Sequence, residues 1–167
     1  MNFTGDFNLL RKCVAEQFVM SHKSIHGPAH WRRVERNGLW LAERVGADCD
    51  VIRLFALFHD CRRTTDSTDP GHGARGAAFA AELRGRLFDL SEASFALLRL
   101  ACVEHTDGKR HADPTVGACW DADRLDIGRA GLVLHPRYMS TEFGLKIAAN
   151  EAAYPFAATP TDGNDRF

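Results

Sequence analysis

The 167-residue sequence predicts an all-α fold, a compact helical bundle, and three observations carry that expectation. Apolar residues recur every three to four positions over most of the chain. No stretch alternates apolar and polar residues as a half-buried strand does, and no Asn-Gly hairpin signal is present. Proline, glycine and aspartate fall where helices start and stop.

The elements follow in order. A first helix is expected over Phe7 to Met20. A second begins after Gly27-Pro28 and runs to Val45, with Gly46 as its stop. Asp48 or Asp50 caps a third, whose apolar run Val51 to Phe58 leads into His59-Asp60. Thr64 to Pro70 is a polar loop, and Asp69-Pro70 reads as a cap with proline at the first helical position. The helix after it, Gly71 to Phe88, is rich in alanine and glycine and so suited to close packing on a neighbour. Another helix covers Ser91 to Glu104, and Thr106-Asp107-Gly108 turns the chain. Asp113-Pro114 repeats the cap-plus-proline signal before Thr115 to Ile127. A last helix starts near Ser140 and ends before Pro155. Residues 1–156 are thus expected as one helical domain, and 157–167, rich in turn formers, as a flexible tail.

Composition narrows the function. Hydrophobic residues make up 45% and charged residues 26%, a globular balance, and the formal net charge is −1. No broad field draws such a chain to a nucleic acid polymer or to anionic lipid, although a small nucleotide needs only a local positive pocket. Met1 to Leu10 contains Asp6 and lacks a basic start followed by an apolar run, so no secretory signal is expected, and no apolar run is long enough to span a bilayer. The five cysteines, Cys13, Cys49, Cys61, Cys102 and Cys119, form no CxxC pair. Reduced, buried thiols in a cytoplasmic protein are the expectation, rather than a zinc-thiolate centre.

The eight histidines are more informative. On the second helix Val34, Gly38, Leu41 and Val45 share a face that His30 extends by one turn. Ile52, Phe55 and Ala56 lead to His59, with Asp60 beside it. Leu98, Ala101 and Cys102 lead to His105; Gly76, Phe79 and Leu83 trace back to His72; Val116 and Cys119 run on to Asp123. One histidine on an apolar face is usually a satisfied core residue. Several imidazoles and carboxylates on inward faces would each cost several kcal/mol (about 2–7) if buried without partners, and a shared divalent cation removes that cost. Nitrogen and carboxylate ligands suit Mn, Fe, Co, Ni or Zn, with Mg an option if phosphate supplies further oxygens.

Three segments carry a family resemblance: His26-Gly27-Pro28-Ala29-His30-Trp31-Arg32-Arg33-Val34, then Leu57-Phe58-His59-Asp60, then Asp121-Ala122-Asp123-Arg124-Leu125. From about Ile25 to Ile127 the chain resembles the HD-domain superfamily of metal-dependent phosphohydrolases. The resemblance implies an HD-domain-like helical bundle with metal ligands at His30, His59, Asp60 and Asp123. His26 is the alternative to His30 but precedes Gly27-Pro28, off the helix. Asp121 is the alternative to Asp123, and is otherwise expected to orient a ligand imidazole. Asp126 is read as a surface or capping residue.

The implied activity is hydrolysis of a nucleotide or another small phosphate ester by a metal-activated water; the small size and helical surface suit a monomer or homodimer. Asp60 would hold the metal and orient the water. Arg62 or Arg63 would clamp the phosphate, and Lys109, in a glycine-containing loop, is a further candidate contact. His72 and His105 would contact substrate or protonate the leaving oxygen; some members of the superfamily use extra histidines to hold a second metal, which is the other role open to this pair. Two rival functions are a di-iron oxygenase on the same fold, which needs His72 or His105 as a ligand, and a metal-bearing binding or sensing module without turnover.

Overall fold

The computed structural model describes residues 3–21 and 23–156, with the side chain of Arg129 excepted. Among the described residues the chain forms seven α-helices: α1 (Phe7–Glu16), α2 (Pro28–Val45), α3 (Cys49–Phe58), α4 (His72–Leu83), α5 (Glu92–Glu104), α6 (Pro114–Arg124) and α7 (Glu142–Ala148). Two 3-10 turns, Ile127–Ala130 and Pro136–Tyr138, follow α6. Two very short strands, β1 (Thr4–Gly5) and β2 (Phe88–Asp89), pair antiparallel. The all-α expectation holds. No described helix is long and apolar enough to cross a membrane.

Helix α3 is the centre of the bundle. Apart from Arg53, every residue from Val51 to Phe58 is buried, so the helix is apolar all round and must be covered on every side. It packs against α1, α2, α4, α5 and α6. Its start is set by Asp48, whose carboxylate accepts the Asp50 and Val51 amides at 2.9 and 3.3 Å. Helix α2 starts on Pro28 and ends on Gly46, in the left-handed conformation at φ 70°, as the sequence signals. Asp113 caps α6 through the amides of Thr115 and Val116, and Ser91 caps α5.

Where the elements depart from expectation, a tertiary contact explains the difference. Helix α1 stops at Glu16 rather than Met20 because Phe18 turns edge-on to the buried Trp31, with ring centroids 5.2 Å apart. Helix α4 is capped by Gly71 at φ 77°, not by Asp69-Pro70. The Asp69 carboxylate instead organises the preceding loop, accepting the Thr64 amide at 2.7 Å and pairing with Arg75. The same helix ends at Leu83, five residues early: Gly85 takes φ 74° and the chain reverses, so Phe88 pairs with Gly5 and its ring meets Phe58 at 5.9 Å. Helix α6 ends at Arg124, and the expected run to Ile127 tightens into the first 3-10 turn. The cysteines are all free thiols: Cys61, Cys102 and Cys119 are buried, Cys13 is half-buried and Cys49, at the start of α3, is exposed. The expected tail at 157–167 lies outside the described residues.

Two glycines of α4 decide how near it comes to its neighbours. A Cβ on Gly76 would stand 2.1 Å from the Phe58 carbonyl oxygen, and one on Gly73 would stand 2.0 Å from the Cys102 carbonyl oxygen. Helix α4 therefore lies backbone-close to the end of α3 and to α5, which brings His72 beside Asp60 and His105. Gly76→Ala is expected to lower stability by about 2 kcal/mol or more in urea unfolding. Gly128→Ala, in open space, is expected to change it little; equal effects of the two would contradict this account of the packing.

Candidate metal centre

Six side chains converge where α2, the ends of α3 and α5, the start of α4 and the end of α6 meet. His30 lies in the first turn of α2; His59 and Asp60 follow the last residue of α3; His72 opens α4; His105 follows α5; Asp123 is next to last in α6. The inward faces drawn from the sequence are the faces that are buried: Val34, Leu41, Ile52, Phe55, Leu98, Cys102, Phe79 and Val116 all lie in the core. The metal ligands expected at His30, His59, Asp60 and Asp123 are brought together, and His72 and His105 join them.

The cluster has two halves that share Asp60. On one side, His30 Nε2 and His59 Nε2 stand 3.0 Å apart and 3.5 and 3.6 Å from Asp60 Oδ2. Asp123 Oδ1 approaches the same two nitrogens at 3.2 and 3.8 Å. On the other side, His72 Nε2 and His105 Nε2 stand 2.9 Å apart and 3.1 and 3.6 Å from Asp60 Oδ1. Each half, His30-His59-Asp60 and Asp60-His72-His105, is a buried group that could hold a metal ion.

The hydrogen bonds on the far side of each ring fix which nitrogen faces inward. His30 Nδ1 meets Asp126 Oδ2 at 2.8 Å, and His59 Nδ1 meets the Phe55 and Ala56 carbonyls at 3.0 and 3.1 Å. His72 Nδ1 meets the Asp69 carbonyl at 2.7 Å, and His105 Nδ1 the Cys102 carbonyl at 2.8 Å. Every one of these partners is an acceptor, so each Nδ1 carries a proton and each ring turns its Nε2, the atom that can bind a metal, toward the centre. Lone pairs about 3 Å apart, next to carboxylates, repel unless positive charge lies between them. Two nitrogens held about 2.1 Å from one ion at a right angle would stand about 3.0 Å apart, the spacing seen in both pairs. Among the described residues no group donates a well-formed hydrogen bond to the buried Asp60 Oδ1, whose near neighbours are the Nε2 atoms of His72 and His105 and Arg63 Nη1, as suits an oxygen meant for a cation. The residues fit a divalent metal.

The electrostatics differ between the two halves. Burial pushes the His59 imidazole down to about 3, so it stays neutral and available as a ligand. Burial also disfavours a charged His105, but the neighbouring Asp60 and Asp123 carboxylates outweigh it and raise its pKa. Burial would raise Asp60, yet the imidazoles around it, His59 foremost, hold it well below the ordinary carboxylate range.

Two residues that the sequence reading set aside prove to touch the centre. His26, off the helix as expected, still places Nδ1 2.7 Å from Asp60 Oδ2, its position held by Trp31 Nε1 donating to the His26 carbonyl. Asp126, read as a surface residue, is the carboxylate that holds His30, and Arg33 donates to its other oxygen at 2.7 Å. The role expected of Asp121 thus falls to Asp126. Asp121 is buried on the opposite side of α6, where it accepts the amides of Ser140 and Thr141 and anchors the start of α7. Only the His-x-x-Arg spacing hinted at this, since Arg33 shares a helix face with His30.

The remaining candidates separate. Arg63 is buried beside the cluster, with Nη1 3.6 Å from Asp60 Oδ1 and Nη2 donating to the Ser67 carbonyl at 2.7 Å. Arg62 turns away, lying over the Phe79 ring and bonding Gln17. Lys109 is exposed and lines a cavity next to the centre.

Removal of the Asp126 carboxylate frees the His30 ring to rotate, so Asp126→Ala is expected to weaken metal binding about 10–100-fold with little loss of fold, as read by competition with a chelating dye. In chelator-treated protein, His59 remains neutral down to about pH 3, whereas in the unfolded chain it takes up a proton near its ordinary value of about 6.5. The unfolded state then binds more protons between these values, and stability falls as pH drops through them. Urea midpoints taken from about pH 6 to about pH 4 are expected to show a loss of about 1 kcal/mol per unit; a flat or rising profile would exclude a neutral buried His59.

Comparison of the chain with protein-family models, with curated proteins and with solved structures finds no match.

Proposed function

We propose that the protein is a metal-dependent phosphohydrolase of the HD-domain type, acting on a nucleotide or another small phosphate ester. The observation that carries this reading is the convergence of four imidazole nitrogens on the two oxygens of one buried carboxylate, Asp60, with Asp123 at the open side. His30, His59, Asp60 and Asp123 would hold one ion, and Asp60, His72 and His105 a second. Metal bound there would polarise a phosphoryl oxygen and lower the pKa of a water molecule.

The chain's own residues supply the rest. The Arg63 guanidinium places a fixed positive charge against Asp60, inside a site too buried for solvent to screen it. It offsets the charge that a phosphate dianion adds when it enters beside two carboxylates. His26 holds Asp60 Oδ2 from the outside, so the carboxylate cannot swing away from the imidazoles. Hydrolysis forms one bond from water oxygen to phosphorus and breaks the ester P–O bond, and the leaving oxygen takes up a proton. Thr106, whose hydroxyl lies 3.3 Å from His105 Nε2, is placed to hydrogen-bond an oxygen of a bound ester.

One observation favours a second reading. His72 and His105 sit on the free oxygen of Asp60, which is the ligand set that a di-iron oxygenase on this fold requires. Metal analysis and a phosphoester screen with several divalent ions separate the two. The expected result is metal-dependent phosphate release that falls below about 1% in Asp60→Ala, which loses the ligand shared by both halves, while His105→Gln loses about one equivalent of metal. Two tightly held irons with no phosphate release would replace the hydrolase by the oxygenase.

A further inference from the structure

Access to the centre is one-sided. The side chains of His30, His59, Asp60, His72 and His105 are 5% exposed or less, and Asp123 is 19% exposed. A cavity of about 530 Å³ lies beside the centre and is joined to it by Thr106 and Arg124, none of the six centre residues lining it themselves. Its inner wall includes Thr106, whose hydroxyl is 3.3 and 3.5 Å from the Nε2 atoms of His105 and His72, and Arg124, the residue that follows Asp123.

Arg124 is not aimed at a ligand. It donates to the Lys109 carbonyl at 2.9 Å, to the Gly108 carbonyl, and across the cavity to the Tyr138 carbonyl. One guanidinium beside the metal ligand Asp123 thereby braces both walls, the 106–110 loop and the 131–138 segment. The 127–138 side is mostly apolar, lined by Ile127, Leu132, Val133, Leu134 and Tyr138 with His135 among them, and Asp107 and Lys109 line the 106–110 side. Leu132 is 58% exposed, an apolar side chain left at the surface beside the approach to a buried polar centre. A cleft of this size, apolar on one side with a few polar groups at one end, suits a small organic molecule with one anionic end rather than a polymer.

We propose that this cleft receives the organic portion of the substrate, and that the substrate is an alkyl or aryl phosphate with an apolar body rather than a polyol phosphate. The proposal rests on the hydrolase reading above for the phosphate end. The phosphate faces the metal centre past Thr106, the apolar body lies along Leu132 and Leu134, and Lys109 adds positive charge to the cleft lining.

Calorimetry on the manganese-loaded protein tests this with two non-hydrolysable probes, phenylphosphonate and methylphosphonate. Phenylphosphonate is expected to bind about tenfold more tightly, because its ring buries apolar area that methyl lacks. Leu132→Asp is expected to abolish that preference with metal content unchanged, and Leu132→Met to retain it. Equal binding of the two probes by the wild type, or a preference that survives Leu132→Asp, overturns the cleft assignment and leaves the phosphate reading intact. Binding of neither probe to metal-loaded protein overturns the phosphate-ester reading and this proposal together. Circular dichroism of Leu132→Asp separates loss of preference from loss of fold, and a misfolded variant is replaced by Leu134→Asp with the same expected outcomes.

Discussion

Four buried imidazoles, each with its Nδ1 proton committed to an oxygen on its outer side, turn their Nε2 lone pairs onto a single carboxylate. That arrangement is unfavourable in an empty protein interior and favourable around a cation, and most of the structure's unusual choices serve it. The acceptors are backbone carbonyls of the preceding helical turn for His59 and His105, so the end of a helix itself orients the ring. Only His30, in the first turn of α2, meets a side-chain carboxylate, which Asp126 provides with Arg33 behind it.

The bundle is packed to bring these ring positions within a few ångströms. Helix α3 runs through the centre with apolar residues on all sides and delivers His59 and Asp60 at its end. Helix α4 can reach Asp60 only because Gly73 and Gly76 let its backbone lie against carbonyls of its neighbours. The ordinary preferences of the chain yield where they conflict with this packing. Asp69 gives up a helix cap to hold the loop that carries Arg63, and Phe88 leaves the helix to cover Phe58.

The six centre residues divide the molecule into a closed side and an open one. Arg63, His26 and the 64–69 loop lie around Asp60, whereas Thr106, beside His105, and Arg124, next to Asp123, line the cavity between the 106–110 loop and the 131–138 segment. Positive charge is distributed in the same sense: Arg63 is fixed within, Arg124 is spent on bracing carbonyls, and Lys109 lines the cleft.

Much of this was legible without coordinates. Helical periodicity and the placement of Asp48, Gly46, Pro114 and Asp113 set the helices and their inward faces, because capping and amphipathicity are local properties of the chain. The same periodicity put His30, His59, His105 and His72 at the inner ends of apolar faces, and the His-Asp and Ala-Asp-Arg-Leu motifs selected Asp60 and Asp123. Only the tertiary structure decided that Asp126 rather than Asp121 holds His30, that His26 touches Asp60 from off the helix, that Arg63 turns inward and Arg62 outward, and that His72 and His105 share Asp60 with the other pair. Each of those choices depends on the angle and distance at which two helices cross, and residues 30 and 126 meet across 96 positions of sequence. A one-dimensional pattern states which side of a helix faces inward, but not which side chain of another helix it will find there.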